Sequence, residues 1–174
     1  METQVNRHEQ YGDIITAISP LECRLFEQRP RLYLDAAKIE TLRGKLTAAP
    51  YAKLFDSVRK TADGAAGRQC PTADAKGDLR GVPEQLAALA FAYRMTDDRR
   101  YFDAAVQYLR AMAGWPMASW NAGLLGGHLL YGNAVAYDWL HAELDNVTRE
   151  LVRDRLYTAG KVMFEDFALH RGWM

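Results

Sequence analysis

The sequence predicts an all-α protein: antiparallel helix pairs forming part of an (α/α) toroid. Three observations carry that expectation. Apolar residues recur at spacings of three and four along most of the chain, the period of a helix with one buried stripe. Asp, Pro and Gly punctuate these stretches where helices start and stop. Ala90-Phe-Ala-Tyr93 returns 44 residues later as Ala134-Val-Ala-Tyr137, each followed by an Asp-started amphipathic stretch. Such an offset suits a helix-pair repeat of about 45 residues. The more apolar helix of each pair would line an inner layer and the amphipathic one an outer layer. A closed toroid needs more pairs than this chain supplies, so the expected shape is an incomplete arc.

The elements follow in order. Residues 1–30 read as an irregular lead-in with Pro20 and Pro30 as breakers, and residues 31–174 as the partial toroid. Arg31-Leu-Tyr-Leu34 reads as a short extended run, after which Asp35 caps a helix over 36–46 carrying Ile39, Leu42 and Leu46. Pro50 suits the first turn of a second helix, which reaches about Ala62 with Leu54, Phe55 and Val58 on its apolar side. Residues 63–82 form a long loop, a length that marks function or mobility. Pro83 opens a third helix with Leu86, Leu89, Ala90 and Tyr93 on one face. Asp97 is read as the cap of a fourth, striped by Tyr101, Ala105, Tyr108 and Met112. A second loop spans 114–125.

The helix from about Gly126 to Leu140 differs from the others, because Asp138 is its one charge between His128 and Trp139. A helix so apolar is expected to be covered on most sides. Asp145 then caps a last helix with a stripe of Val152, Leu156, Ala159, Met163 and Phe167, and with Arg149, Arg153, Lys161 and Glu165 facing elsewhere.

Composition bounds the function. Lys plus Arg and Asp plus Glu both number 22, so no basic excess advertises nucleic acid. No stretch approaches the ~20 apolar residues needed to cross a bilayer, and no secretory signal is visible at the N-terminus. Cys23 and Cys70 are far apart and match no metal or redox spacing. No Ser/His/Asp set, phosphate-binding glycine loop or zinc motif is present, and no cofactor or metal is expected.

Three segments, in order, carry a resemblance: Pro30-Arg-Leu-Tyr-Leu-Asp35; Ala88-Leu-Ala-Phe-Ala-Tyr93 with Asp97 and Tyr101; and His128-Leu-Leu-Tyr-Gly-Asn-Ala-Val-Ala-Tyr-Asp-Trp-Leu140, whose following helix ends in His170-Arg-Gly-Trp173. Over residues 29–174 the chain resembles the N-terminal helical region of heparinase II/III-type polysaccharide lyases, a region shared by oligoalginate lyases and dermatan sulfate epimerases. Arg29 stands where that family often has His, and loop 63–82 matches nothing in it.

The resemblance implies β-elimination at a uronic acid, in which the sugar carboxylate is neutralised, a Tyr or His removes the C5 proton, and an acid assists the leaving oxygen. In the family the first catalytic His follows the Arg-Gly-Trp segment in an Asn-His motif. Met174 comes before any such motif. The expectation is therefore a truncated arc with no catalytic residue of its own, partnered by the missing C-terminal part of the same protein and by acidic polysaccharide or oligosaccharide. The family is often periplasmic or secreted, and this sequence does not fix the location. The alternative is a non-catalytic helical-repeat module that binds glycan or protein.

Six residues are candidate substrate-binding groups. Trp120 and Asn121 offer a stacking platform and a polar clamp for a pyranose, with a hydrophobic plug as the plainer role of the tryptophan. His128 offers a hydrogen-bond partner for a sugar hydroxyl or carboxylate, against local packing at a helix start. Tyr131 is a candidate as well, although Tyr131 and Tyr137 both have the spacing of core tyrosines with satisfied hydroxyls. Arg171 and Trp173 would approach the missing catalytic segment, and chain ends order poorly without something to dock on. Asp138 reads as a local hydrogen-bond acceptor or helix-end ion pair.

Overall fold

The computed structural model describes residues 29–121 and 123–168. The described residues form seven helices and no strand: α1 (Ala36–Arg43), α2 (Tyr51–Ala66), α3 (Gly81–Thr96), α4 (Arg99–Ala113), α5 (Met117–Trp120), α6 (Leu124–Leu140) and α7 (Asn146–Ala168). The lead-in before residue 29, His170, Arg171, Trp173 and the side chain of Phe167 lie outside the described residues.

Caps explain most boundaries. The Asp35 carboxylate accepts from the Lys38 amide at 2.8 Å and starts α1. The helix stops at Arg43, short of the expected 46, because Gly44 ends it and Leu46 falls in the following turns. Pro50 is the N-cap of α2, which runs beyond Ala62 to Ala66 and buries Ala62 and Ala65. Leu54, expected on its apolar side, is exposed. The long loop is therefore confined to 67–80. The segment 114–125 is likewise interrupted by α5, and α6 begins two residues before Gly126.

Asp97 does not cap α4. It closes α3 in the left-handed region at φ 57°, a role that Asp and Asn fill more readily than bulky residues. The N-cap of α4 is Asp98, which accepts from the Arg100 amide at 2.9 Å. This two-residue connection folds α4 back along α3, with the rings of Tyr93 and Phe102 5.1 Å apart. Asp145 does cap α7 as expected, accepting from the Thr148 amide and hydroxyl at 2.9 and 2.8 Å.

The 44-residue echo is visible in space. The start of α3 touches the first half and middle of α6 through Glu84 with His128 and Pro83 with Gly132. Near their ends they touch through Phe91 with Trp139, and Arg94 donates to the Trp139 carbonyl at 2.6 Å. Both sets advance together, so the two apolar helices run parallel. Their close approach needs glycine: a Cβ on Gly132 would lie 2.5 Å from the Pro83 carbonyl oxygen. The amphipathic partners α4 and α7 pack against them and against each other. Arg110 of α4 bonds Thr148 and Asp145 at 2.7 and 2.8 Å, and Arg155 of α7 bonds the Ala113 carbonyl at 2.8 Å. The core between the layers is apolar, with Leu86, Leu89, Leu109, Met112, Leu129 and Leu140 fully buried. Each such side chain contributes about 1.5–3 kcal/mol.

Candidate functional site

The segment 29–34 is not an extended strand-like run. Tyr33 has φ 61°, and the chain bends across the C-terminal half of α6 as a strap. Asp138 holds it. This carboxylate is 1% exposed and accepts from the amides of Arg31 and Leu32 at 2.7 and 2.8 Å and from the Arg29 guanidinium at 2.8 Å. The Trp139 indole N–H donates to the Leu32 carbonyl at 2.7 Å. Asp138 thus makes the ion pair near the helix end that the sequence allowed, with Arg29, but as a long-range clip and not as a local helix acceptor. The strap continues into α1, where Arg43 donates to the Arg94 carbonyl at 2.8 Å.

Around the strap the charge is mostly positive. Arg29 lies over the Tyr137 ring, and Arg149 donates to the His141 carbonyl. Burial, then Arg29 and Arg149, push the His141 imidazole below its usual range, and burial and Arg29 lower the Arg31 guanidinium.

The strap covers the C-terminal part of α6 and leaves the opposite part open. There Leu124, His128 and Tyr131 follow one another at helical spacing along one face. Tyr131 is 54% exposed, and its ring meets the edge of Tyr33, itself 68% exposed, at 6.3 Å. One turn towards the helix start, Nδ1 of the half-exposed His128 lies 3.3 Å from a Glu84 carboxylate oxygen. Loop 67–80 closes this end with Asp78 and Arg80. The Arg80 guanidinium grips both carboxylate oxygens of Asp78 and, with its backbone amide, holds that carboxyl down at about 2.

The sequence-derived candidates separate in this arrangement. His128 and Tyr131 come together on the open face; Tyr131 is not the core tyrosine its spacing suggested, whereas Tyr137 is buried. Asn121 is exposed at the end of α5. Trp120 is not a stacking platform. It is 0% exposed, its indole N–H is spent on the Met112 carbonyl at 3.2 Å, and its ring lies within the core beside Arg155. Gly126 fits against it so closely that a Cβ there would lie 2.1 Å from the Trp120 carbonyl oxygen. Arg171 and Trp173 lie outside the described residues.

Two further members of the face, Tyr33 and Glu84, were missed. Tyr33 was absorbed into an apolar run. Glu84 carried a signal: it precedes His128 by 44 residues, the repeat offset itself, which places equivalent positions side by side on parallel helices.

Among the described residues no group of three His, Cys, Asp or Glu side chains could hold a metal ion, and no helix is long and apolar enough to cross a membrane. Cys70 sits in loop 67–80 with burial pushing its thiol up to about 12, far from the range of a reactive thiolate. No model of a known protein family matches the chain, and no curated protein matches it either.

Proposed function

We propose that this chain is the glycan-holding helical part of a polysaccharide lyase, an arc of an (α/α) toroid that acts on uronic-acid-containing polysaccharide of the heparan, chondroitin/dermatan or alginate type. The observation that supports this reading is how the three resembling segments fit one another. The first, 30–35, is clipped to the third by Asp138 and Trp139, and the second lies in α3 alongside the third in α6. Segments far apart in sequence thus form one unit, and that unit carries an open face of two tyrosines, a histidine and a carboxylate. Aromatic faces with adjacent polar groups are suited to pyranose rings.

In the proposed reaction the C5–H proton passes to a base and the C4–O bond breaks. A C4=C5 double bond forms, and the departing sugar oxygen takes a proton. The described residues hold and orient the chain of sugars, and none is assigned a proton transfer. The test is to incubate the natural protein carrying this region with heparan, chondroitin, dermatan and alginate and to follow the absorbance of a 4,5-unsaturated uronate. Product from at least one polymer is expected; its absence across the panel would reject the lyase reading.

One observation favours the alternative of a non-catalytic module that binds protein. Val147, Leu151 and Tyr157 on α7 are exposed apolar side chains. Concentration-dependent sedimentation weakened by Leu151→Glu would support self-association through this face, and a strictly monomeric profile would count against it.

A further inference from the structure

We propose that Tyr33, Glu84, His128 and Tyr131 form a subsite for an uncharged sugar ring, with Glu84 as the residue that positions the His128 imidazole. The inference rests on the glycan reading above and deepens it by stating which ring of the polymer the subsite takes.

Charge decides the ring. The charged groups around the imidazole are Glu84 from α3 and Asp78 and Arg80 from loop 67–80. The Arg80 guanidinium is paired, since through Nε and Nη2 it holds both oxygens of Asp78 at 2.5–2.9 Å. These two charges offset each other and the strap arginines Arg29 and Arg31 face Asp138, so Glu84 is the charged group that meets the imidazole. Glu84 also lies in the first turn of α3, where it already answers the positive end of that helix. A uronate laid here would bring a second carboxylate beside the first, an arrangement in which like charges disfavour each other. A hydroxylated neutral ring has the opposite fit, because an ionised carboxylate only accepts and sugar hydroxyls donate.

Geometry supplies the rest. The Tyr33 and Tyr131 rings are inclined at 60° with centroids 6.3 Å apart, so they make a corner and not a closed stack. A ring face stays open for the C–H face of a pyranose. His128 and Tyr131 are separated by three residues, a rise of about 4.5 Å, which is close to the width of one sugar ring. With Nδ1 turned to Glu84, the imidazole presents Nε2 to a ligand hydroxyl. In a polymer that alternates uronate with unsulfated N-acetylhexosamine, the hexosamine occupies this corner and the uronate lies to either side.

The test titrates the chain with a neutral N-acetylated chitooligosaccharide and, separately, with an oligomannuronate in which every ring is acidic. Backbone and imidazole NMR signals report the contacts. The expected result is that the neutral ligand shifts residues 33, 84, 128 and 131 and that Tyr131→Ala, with Tyr33→Ala as the second exposed variant, weakens it about tenfold. Glu84→Gln should narrow the preference for the neutral ligand and alter the His128 ring-nitrogen signals, a readout that loss of packing alone would not move. Equal or stronger shifts of the same residues by the oligomannuronate would overturn the proposal, and so would the absence of any shift there with the neutral ligand. The lyase reading fails separately, by lack of unsaturated product.

Discussion

Replacing Asp138 with Ala removes the acceptor of two strap amides and one guanidinium at a site that is 1% exposed. Hydrogen bonds to a charged group are each worth about 1.5–3 kcal/mol. They do not add fully, because the strap amides regain water once released. Breaking a buried charged cluster by removing one partner costs about 3–5 kcal/mol, and that is the expected loss here. For a chain of this size each kcal/mol corresponds to about 2–4 °C, so the melting temperature should fall by about 6–20 °C. Urea unfolding is the assay, and the midpoint should move with the slope unchanged. Hydrogen exchange adds a local readout: the Arg31 and Leu32 amides should lose protection while the centre of α3 keeps its own. Arg29→Met should cost less, about 1–2 kcal/mol, since both backbone amides still hold the carboxylate. A loss below about 0.5 kcal/mol for Asp138→Ala, with unchanged exchange at Arg31 and Leu32, would refute the clip.

Two glycines of α6 separate close approach from mere flexibility. Gly132→Ala should destabilise by about 1–3 kcal/mol, because its Cβ would collide with Pro83 backbone 2.5 Å away. Gly127→Ala meets nothing within 4 Å and should stabilise by up to about 1 kcal/mol through helix propensity; thermal melts of the two variants should move in opposite directions. His141 gives a pH dependence. Its folded-state pKa lies below the ordinary value of 6.5, chiefly through burial, so the unfolded chain takes up the proton first as pH falls. The stability it contributes is present above that value and lost as pH drops through it towards the folded pKa. His141→Gln should flatten that part of the stability profile, and an unchanged profile would contradict the assignment.

Much of the fold was legible because its signals are local. Asp35 and Asp145 cap helices where they stand, and the apolarity of 129–140 announced a helix whose C-terminal half is buried. The repeat offset is a property of the sequence and carries over to parallel neighbours in space. What was misread depends on choices the sequence leaves degenerate or on distant partners. Asp97 and Asp98 both offer a carboxylate at the α3–α4 corner, and only the left-handed backbone at Asp97 decides which one caps α4. Trp120 could equally serve solvent or core, and the closeness of Gly126 decided for the core. Asp138 finds its partners more than a hundred residues away, on a strap whose bend at Tyr33 no periodicity reveals. Of the candidate site, His128 and Tyr131 were found, whereas Tyr33 and Glu84 join them only through tertiary packing.

The open face exists because α3 and α6 run parallel, which brings Glu84 beside His128. Spin labels placed pairwise by cysteine substitution at 84 with 128, and at 84 with 143, in a background with Cys23 and Cys70 changed to serine, measure this directly. Glu143 sits beside Arg94, ten residues along α3 from Glu84, which is about 15 Å of helix rise. Parallel helices require the 84–128 pair to be short, near one helix-to-helix spacing of about 8–10 Å plus the label arms, and the 84–143 pair to be clearly longer. The reverse order of the two distances would mean that the helices are antiparallel and that the shared face does not exist.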